Sequence, residues 1–240
     1  MKITIIIPTF NEAGNIKKLI PMLLDLPIHD LTILVVDDNS QDGTGNIADS
    51  FAKATKRVKV LHRAGKLGLG TAYIQGFQIA LNDGAEAVIQ MDADFSHPPQ
   101  KVPELVEAIA KYDVVIGSRY VQGGDVDREW AAWRKALSAF GNYYARTILG
   151  LPTQDVTGGF RIYRADTLRA MPIQQVRSNG YIYQVEMTYI AAKLGFSIGE
   201  IPIYFAEREW GDSKMSFKIQ LEAALRTWKL LWDYRKLKPD

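Results

Sequence analysis

The sequence predicts an α/β fold built on a mostly parallel central sheet with helices on both sides. Two patterns predict it. Short apolar runs rich in β-branched residues recur through the first half, as in strands buried on both faces, and stretches of helical periodicity separate them. The first run is Ile3-Thr4-Ile5-Ile6-Ile7 and the second Thr32-Ile33-Leu34-Val35-Val36. Between them a helix is predicted over about residues 12–25, with Asn11 as its cap and Glu12 at its positive end. Val58-Lys59-Val60-Leu61, the run from Ala87 to Met91, and Val114-Val115-Ile116 continue the strand series, separated by helical patterns near 44–56, 70–82 and 99–111. The second half is less regular. A helix is predicted near 129–149, then a glycine-containing loop from Asp155 to Arg161. A helix near 183–194, a strand from Ile198 to Phe205 and an amphipathic helix from about Ser216 to Lys236 complete the series. No repeat, low-complexity tract or linker interrupts it, so residues 1–240 read as one domain.

Composition narrows the function. The chain has 240 residues, 47% hydrophobic and 23% charged, an ordinary balance for a globular core. A formal net charge of +2 is too mild to argue for nucleic acid, which is not expected as a partner. With no cysteine, disulfides and Cys-held zinc are impossible, and three scattered histidines disfavour a His-rich zinc site. There is no signal-peptide pattern and no uncharged apolar run of membrane-spanning length, so the expected compartment is the cytosol.

In such a sheet, ligands belong at the carboxyl ends of the strands. The polar clusters 8–12, 37–42, 92–97 and 117–119 all follow strand ends, so they are expected on one rim. Asp92 and Asp94 close the fourth strand; strand alternation would place both carboxylates on one face, with Ala93 pointing away. Two hard oxygen ligands so placed suit Mg2+ or Mn2+ carrying a phosphorylated ligand, although Asp-x-Asp is also an ordinary turn. Adjacent Asp37 and Asp38 imply a polar or cationic neighbour, while Asn11, Ser40, Asp42 and Gly43 are equally explained by turn and capping chemistry. The stretch Gly65-Lys66-Leu67-Gly68-Leu69-Gly70 reads either as a phosphate loop at a helix start or as glycines permitting close helix–sheet packing.

Together these motifs resemble the GT-A nucleotide-sugar transferases, and among them the polyprenyl- or dolichyl-phosphate mannose synthases of the inverting family 2 glycosyltransferases. The resemblance is carried by residues 8–12 (Pro-Thr-Phe-Asn-Glu), 36–44, 66–72 and 91–99, then by 117–124, 133–135, 155–161 and 208–214, in order along nearly the whole chain. It implies a GT-A fold with a Rossmann-like sheet, a nucleotide-sugar half over about 1–120 and an acceptor half over about 121–240. By position, Pro8, Phe10, Glu12, Val36 and Asp38 would hold the base and ribose. Asp92 and Asp94 would bind the metal beside the Ala93 backbone. Arg119, Arg208 and Lys214 would meet phosphates, with Asp92, Asp94, Arg119 and Arg208 forming the catalytic set. Arg134 and Lys135, with Arg119, would meet the acceptor phosphate. Relatives often have tyrosine at position 10 and glutamine at position 96, where this chain has phenylalanine and serine, which leaves the third side-chain ligand open.

The resemblance further implies transfer of mannose from GDP-mannose to a polyprenyl phosphate. Alternatives are UDP-glucose as donor and a glycan hydroxyl as acceptor. A phosphate nucleophile needs no general base, whereas a hydroxyl does. Arg161 joins Arg119, Arg134 and Lys135 as cations suited to a doubly charged acceptor. Asp155 is either a base for a hydroxyl or an organiser of an arginine and its loop. Many relatives carry membrane spans that this chain lacks, so a peripheral place on the cytoplasmic face, or a membrane-embedded partner subunit, is expected. From Lys218 to Asp240 there are six Lys/Arg and three Asp/Glu, net +3, compatible with an anionic membrane surface. In the last helix a stripe through Lys218, Glu222, Arg226, Lys229, Asp233 and Lys236 opposes an apolar side of Phe217, Leu221, Ala224, Leu225, Trp228, Leu231 and Trp232, which is expected to pack on the core.

Overall fold

The computed structural model describes residues 1–127, 129–206 and 217–239, giving backbone alone for residues 181 and 217–223. The β-branched runs form β1 (Ile3–Thr9), β2 (Leu31–Asp37), β3 (Val58–His62), β4 (Ala87–Gln90) and β5 (Val114–Ser118). Helices α1 (Ala13–Leu24), α2 (Thr44–Ala54), α3 (Leu69–Asn82) and α4 (Val102–Ala108) connect them. The second half contributes β6 (Asp125–Val126), α5 (Ala132–Leu149), β7 (Arg161–Arg164), α6 (Ala165–Ala170), α7 (Tyr181–Lys193), β8 (Ile198–Pro202), β9 (Tyr204–Phe205) and α8 (Phe217–Asp233).

The main sheet has seven strands in the order β3-β2-β1-β4-β7-β5-β8, all parallel except β7, which runs antiparallel between β4 and β5. The sequence pattern assigns no strand here, and only Arg161 falls in the predicted glycine-containing loop. Arg161-Ile-Tyr-Arg is too short and too charged to register as a buried strand, yet Ile162 and Tyr163 are fully buried and pair with both neighbours. The strand expected over Ile198 to Phe205 divides: β8 joins the main sheet, and β9 leaves it to pair with β6.

Alternation along the strands divides the core in two. On one face Ile6, Val36, Val88 and Ile116 pack with Tyr73 and Phe77 of α3 and with α7; on the other Ile5, Ile7, Val35 and Ile89 pack with Ile16, Leu19 and Ile20 of α1. Pro8 lies within β1 opposite Val36, beyond the last pair with β4 (Ile6–Gln90), so the hydrogen it cannot donate is not required by that neighbour.

Helix α8 corrects an expectation. Among the described side chains in and just after it, Thr227, Leu230 and Tyr234 are buried and Leu231 packs partly on the core, whereas Leu225, Trp228 and Trp232 are 66%, 57% and 67% exposed. The cause is Glu186 of α7. It is fully buried and takes hydrogen bonds from the Tyr234 hydroxyl (2.7 Å), the Arg226 guanidinium (3.3 Å) and the Ser178 amide (2.9 Å). A buried carboxylate requires such partners. Satisfying it turns Arg226 inward, where it also meets Asp233, and turns the tryptophans outward.

Candidate active site

The parallel strands end together at Thr9, Asp37, His62, Gln90 and Ser118, so the polar clusters do share a rim, joined there by Arg161 at the start of β7. Among the described residues, three non-glycine residues have positive φ, namely Asn11 (60°), Asn39 (59°) and Phe95 (61°), and each sits in a loop leaving β1, β2 or β4 at this rim. Asparagine tolerates this conformation; a phenylalanine there is strained, and such strain persists where surrounding structure enforces it.

The first two loops are tied together. Thr9 donates to Asp37 Oδ1 (2.9 Å), and Ser40 donates to the same carboxylate through its hydroxyl (2.6 Å) and amide (3.1 Å). Asn11 does not cap α1 as expected: its side chain accepts from the Gln41 amide (2.9 Å). The start of α1 is instead served by the neighbouring loop, with the Ala13 amide donating to Asp42 and the Glu12 amide to the Thr44 hydroxyl, both at 2.9 Å. Burial opposes ionisation of Asp42, but hydrogen bonds from Thr44 and Ala13 hold its carboxyl below the usual range. Asp37 is thus a loop organiser. Its neighbour Asp38 faces the other way, to Arg63, whose guanidinium donates at 2.7 Å from a nearly buried position and also reaches Thr71. Burial, then the nearby Asp37 charge, push Asp38 up, against the pull of Arg63. Arg63 is the cation that paired carboxylates require, and sequence reasoning missed it because it lies 25 residues away. Val36 is fully buried, while Phe10 and Glu12 stay partly exposed at the rim, with the Lys66 ammonium 4.3 Å above the Phe10 ring.

The glycines of residues 65–76 mostly serve packing. A side chain at Gly70 would come within 2.7 Å of the Ser178 carbonyl and 2.9 Å of Tyr183, one at Gly76 within 2.7 Å of Ile6, and Gly68 adopts φ +99°. Helix α3 therefore lies close against β1 and α7, which lets Tyr73 reach the rim from beneath.

Strand β4 ends at Gln90, so strand alternation does not continue through Asp92 and Asp94. Each is held by its own donor instead. Asp92 Oδ1 accepts from the Tyr73 hydroxyl at 3.0 Å, and Asp94 Oδ1 accepts from the Ser96 hydroxyl (2.5 Å) and amide (3.1 Å). Burial raises the Tyr73 phenol far above its ordinary value, and Asp92 and Asp94 both push it further, so both charges bear on one hydroxyl. Ser96, in the position the resemblance left open, supports Asp94 from within. Among the described residues no group of three or more His, Cys, Asp and Glu side chains is arranged to hold a metal. One partly exposed carboxylate, Asp92, and one buried one, Asp94, are hard oxygen donors that fit a cation keeping waters and taking phosphate oxygens, as Mg2+ and Mn2+ do, rather than zinc.

Arg119, immediately after β5, is buried beside Asp155. Its Nε and Nη2 donate to Asp155 at 2.7 and 2.8 Å and its amide at 3.1 Å, while Nη2 also meets Thr157 at 2.7 Å. Asp155 is fully buried and further accepts from the Gly158 amide at 2.8 Å. Burial would raise its carboxyl, but the Arg119 guanidinium overcomes this and holds it below the usual range. Of its two readings, the geometry matches the organiser of an arginine and a loop. Arg161 is corrected outright. It is fully buried and donates to the carbonyls of Gly158, Val156 and Gln184 and to the Thr188 hydroxyl, so it cannot meet an acceptor. Arg134 and Lys135 lie partly exposed in the first turn of α5, with Arg134 stacked 3.8 Å over Trp130. Arg208 and Lys214 fall outside the described residues.

A parallel sheet interrupted by one antiparallel strand, with an Asp-x-Asp pair at its carboxyl rim, is the layout of a GT-A glycosyltransferase. The chain belongs to glycosyl transferase family 2, whose model matches residues 4–171. It is similar to the undecaprenyl-phosphate mannosyltransferase of Micrococcus luteus, at 47% identity over 225 residues covering 94% of this chain and 92% of that one. It is also similar to the polyprenol monophosphomannose synthase of Mycolicibacterium smegmatis, at 45% identity over 217 residues covering 88% and 80%. In fold it resembles glucosyl-3-phosphoglycerate synthase from Mycobacterium tuberculosis, solved with Mn2+, UDP and glucosyl-3-phosphoglycerate. That match has a TM-score of 0.66 over 100% of this chain and 81% of that one, at 17% identity.

Proposed function

We propose that this enzyme transfers mannose from GDP-mannose to a polyprenyl phosphate, with inversion at the anomeric carbon, giving polyprenyl-phosphate mannose and GDP. Two relatives with this class of acceptor and sugar in their names, at 47% and 45% identity, support the sugar and the lipid. The observation that favours a phosphate over a hydroxyl acceptor is the engagement of Asp155, whose carboxylate accepts from Arg119 and from the amides of Thr157 and Gly158. A hydroxyl nucleophile would need a base in reach. A phosphate monoester, with a second pKa of about 6, is already largely dianionic at neutral pH.

Pro8, Phe10, Glu12 and Asp38 form the base and ribose side of the site, with the fully buried Val36 supporting them from the core and Arg63 holding Asp38 in place. A divalent cation on Asp92 and Asp94 would supply Lewis-acid stabilisation of charge on the leaving diphosphate. Arg119, backed by Asp155, keeps one guanidinium fixed at the rim, and Arg208 and Lys214 complete the donor-phosphate contacts. Preorganised cations of this kind stabilise developing charge without reorganising. Arg134 and Lys135 receive the acceptor phosphate. Its hydrocarbon tail is met by the ridge of α5 and α8, where Trp133, Phe140, Tyr143, Leu225, Trp228 and Trp232 are all exposed. The basic residues Lys229, Arg235 and Lys236 beside them favour an anionic bilayer surface, with a membrane-embedded partner subunit as the other occupant. Among the described residues no helix is long and apolar enough to cross a membrane.

A donor screen against a short-chain polyprenyl phosphate tests this. GDP-mannose should be used in preference to UDP-glucose, with GDP released in step with mannosyl lipid. Transfer only from UDP-sugars, or only to free glycans, would overturn the proposal.

A further inference from the structure

We propose that Tyr73 and His97 are positioning residues that grip Asp92 from two sides and fix its carboxylate for the divalent cation; this rests on the metal reading above. The Tyr73 hydroxyl donates to Asp92 Oδ1 at 3.0 Å. His97 Nδ1 accepts from the Asp92 amide at 2.9 Å, so in the neutral ring the hydrogen resides on Nε2, which lies 3.9 Å from Asp92 Oδ2. One group thus sets the carboxylate and the other its backbone, with Nε2 facing the second oxygen beyond hydrogen-bond distance. The side chain of Asp92 nonetheless keeps 31% exposure toward the rim, where a cation would approach.

Neither gripping group is able to drift. The Tyr73 ring is fully buried and stacks on Tyr183 at 5.9 Å and 8°. Tyr183 is in turn held by the Gln90 amide at 3.0 Å, and Gln90 accepts from Tyr163 at 3.3 Å. The His97 ring, 1% exposed, stacks on Phe160 at 5.4 Å and meets Phe205 edge-on. Gly159 makes room for it, since a side chain there would stand 3.1 Å from His97 Cε1. This gives the glycines two readable purposes. Gly70 and Gly76 let α3 carry Tyr73 to Asp92, and Gly159 admits His97. Groups that orient a metal-ligating carboxylate commonly affect metal affinity by 10–100-fold when removed.

Mn2+ binding measured by electron paramagnetic resonance, with GDP or UDP present, reads this without turnover. Tyr73→Phe keeps the ring stack and removes only the hydroxyl; it should weaken Mn2+ by about tenfold or more while the metal-free melting temperature changes little. His97→Leu should do the same. His97→Asn, whose side-chain oxygen can accept the Asp92 amide in place of Nδ1, should recover most of the affinity. If Asp92→Asn abolishes binding while Tyr73→Phe and His97→Leu stay within about twofold of wild type, the grip is refuted and the metal reading stands. If the wild-type enzyme itself fails to bind Mn2+ with either nucleotide, the metal reading falls and the grip with it.

Discussion

Replacing Asp155 with asparagine keeps its shape and removes its charge, which separates its two readings. In the native chain this carboxylate accepts from the Arg119 amide, Nε and Nη2, from the Thr157 amide and from the Gly158 amide, all within 3.2 Å, at full burial. Asparagine offers one oxygen where two served, and turns an N–H2 group toward donors. It also takes from Arg119, 8% exposed, the negative charge of Asp155 beside it. Breaking one side of a buried pair costs about 3–5 kcal/mol. For a chain of this size each kcal/mol moves the melting temperature by roughly 2–4 °C, so the variant should melt about 6–20 °C lower. The loss should depend on pH in one direction. Because the folded carboxyl is held below its ordinary value, its contribution is complete above the unfolded pKa of about 3.9 and is lost as pH falls through the folded value. The difference in stability between wild type and variant should therefore be flat from about pH 5 to 8 and shrink only in acid.

Calorimetric melts across pH, paired with turnover, make the assay. Activity should fall because Arg119 loses its anchor, and raising the pH should not restore it. Replacing Arg119 by methionine together with Asp155→Asn should cost less stability than the two single changes added, since the double variant strands no charge. A melting temperature within about 2 °C of wild type, or activity regained at high pH, would refute the organiser role and return Asp155 to candidacy as a base.

Asp92→Asn and Asp94→Asn should leave the melting temperature nearly unchanged and lower metal-dependent turnover by roughly 10²–10⁴; near-normal rates in both would remove the metal assignment. Arg134→Ala and Lys135→Ala should raise KM for polyprenyl phosphate about tenfold or more while leaving GDP binding nearly intact, because the proposed contacts are with the acceptor phosphate alone. Binding to vesicles containing phosphatidylglycerol should weaken with added salt and on neutralising Lys229, Arg235 and Lys236. Trp228→Glu combined with Trp232→Glu should weaken it further without lowering the melting temperature much, since both rings are exposed; absence of binding at low salt would point to a protein partner for this face.

The first half of the fold was legible because β1, β2, β4 and β5 are buried on both faces and helical periods separate the strands. The rim followed from that rhythm alone. What escaped the sequence shares one physical cause: partners brought together by topology rather than by spacing. Strand β7 reads as a charged tetrapeptide until it is seen clamped between β4 and β5. Arg161 looks like an available cation, and only the crowd of carbonyls around it reveals a buried structural one. Arg63 for Asp38 and Tyr73 for Asp92 lie 25 and 19 residues from the groups they serve. The signal for each was present as a deficit, a carboxylate that needed a donor, without any indication of which residue would supply it.

The same deficit explains why α8 faces as it does. Helical periodicity correctly separates a charged stripe from an apolar side, and the ordinary inference buries the apolar side. That inference assumes the surface beneath is apolar, and here Glu186 lies there at full burial. An unpaired carboxylate at such depth would cost several kcal/mol. The helix therefore spends Arg226 and Tyr234 on Glu186 and turns Trp228 and Trp232 outward beside Trp133 and Phe140 of α5. An outward aromatic ridge beside basic residues is a poor surface for water and a good one for the boundary between lipid headgroups and acyl chains. The buried glutamate and the lipid-facing ridge are two sides of one helix orientation. Glu186→Gln, which weakens the hold on Arg226, should consequently loosen α8 and reduce vesicle binding although residue 186 itself never reaches the surface. Vesicle binding unchanged in that variant, with α8 still protected from proteolysis, would show that the ridge is set by other contacts.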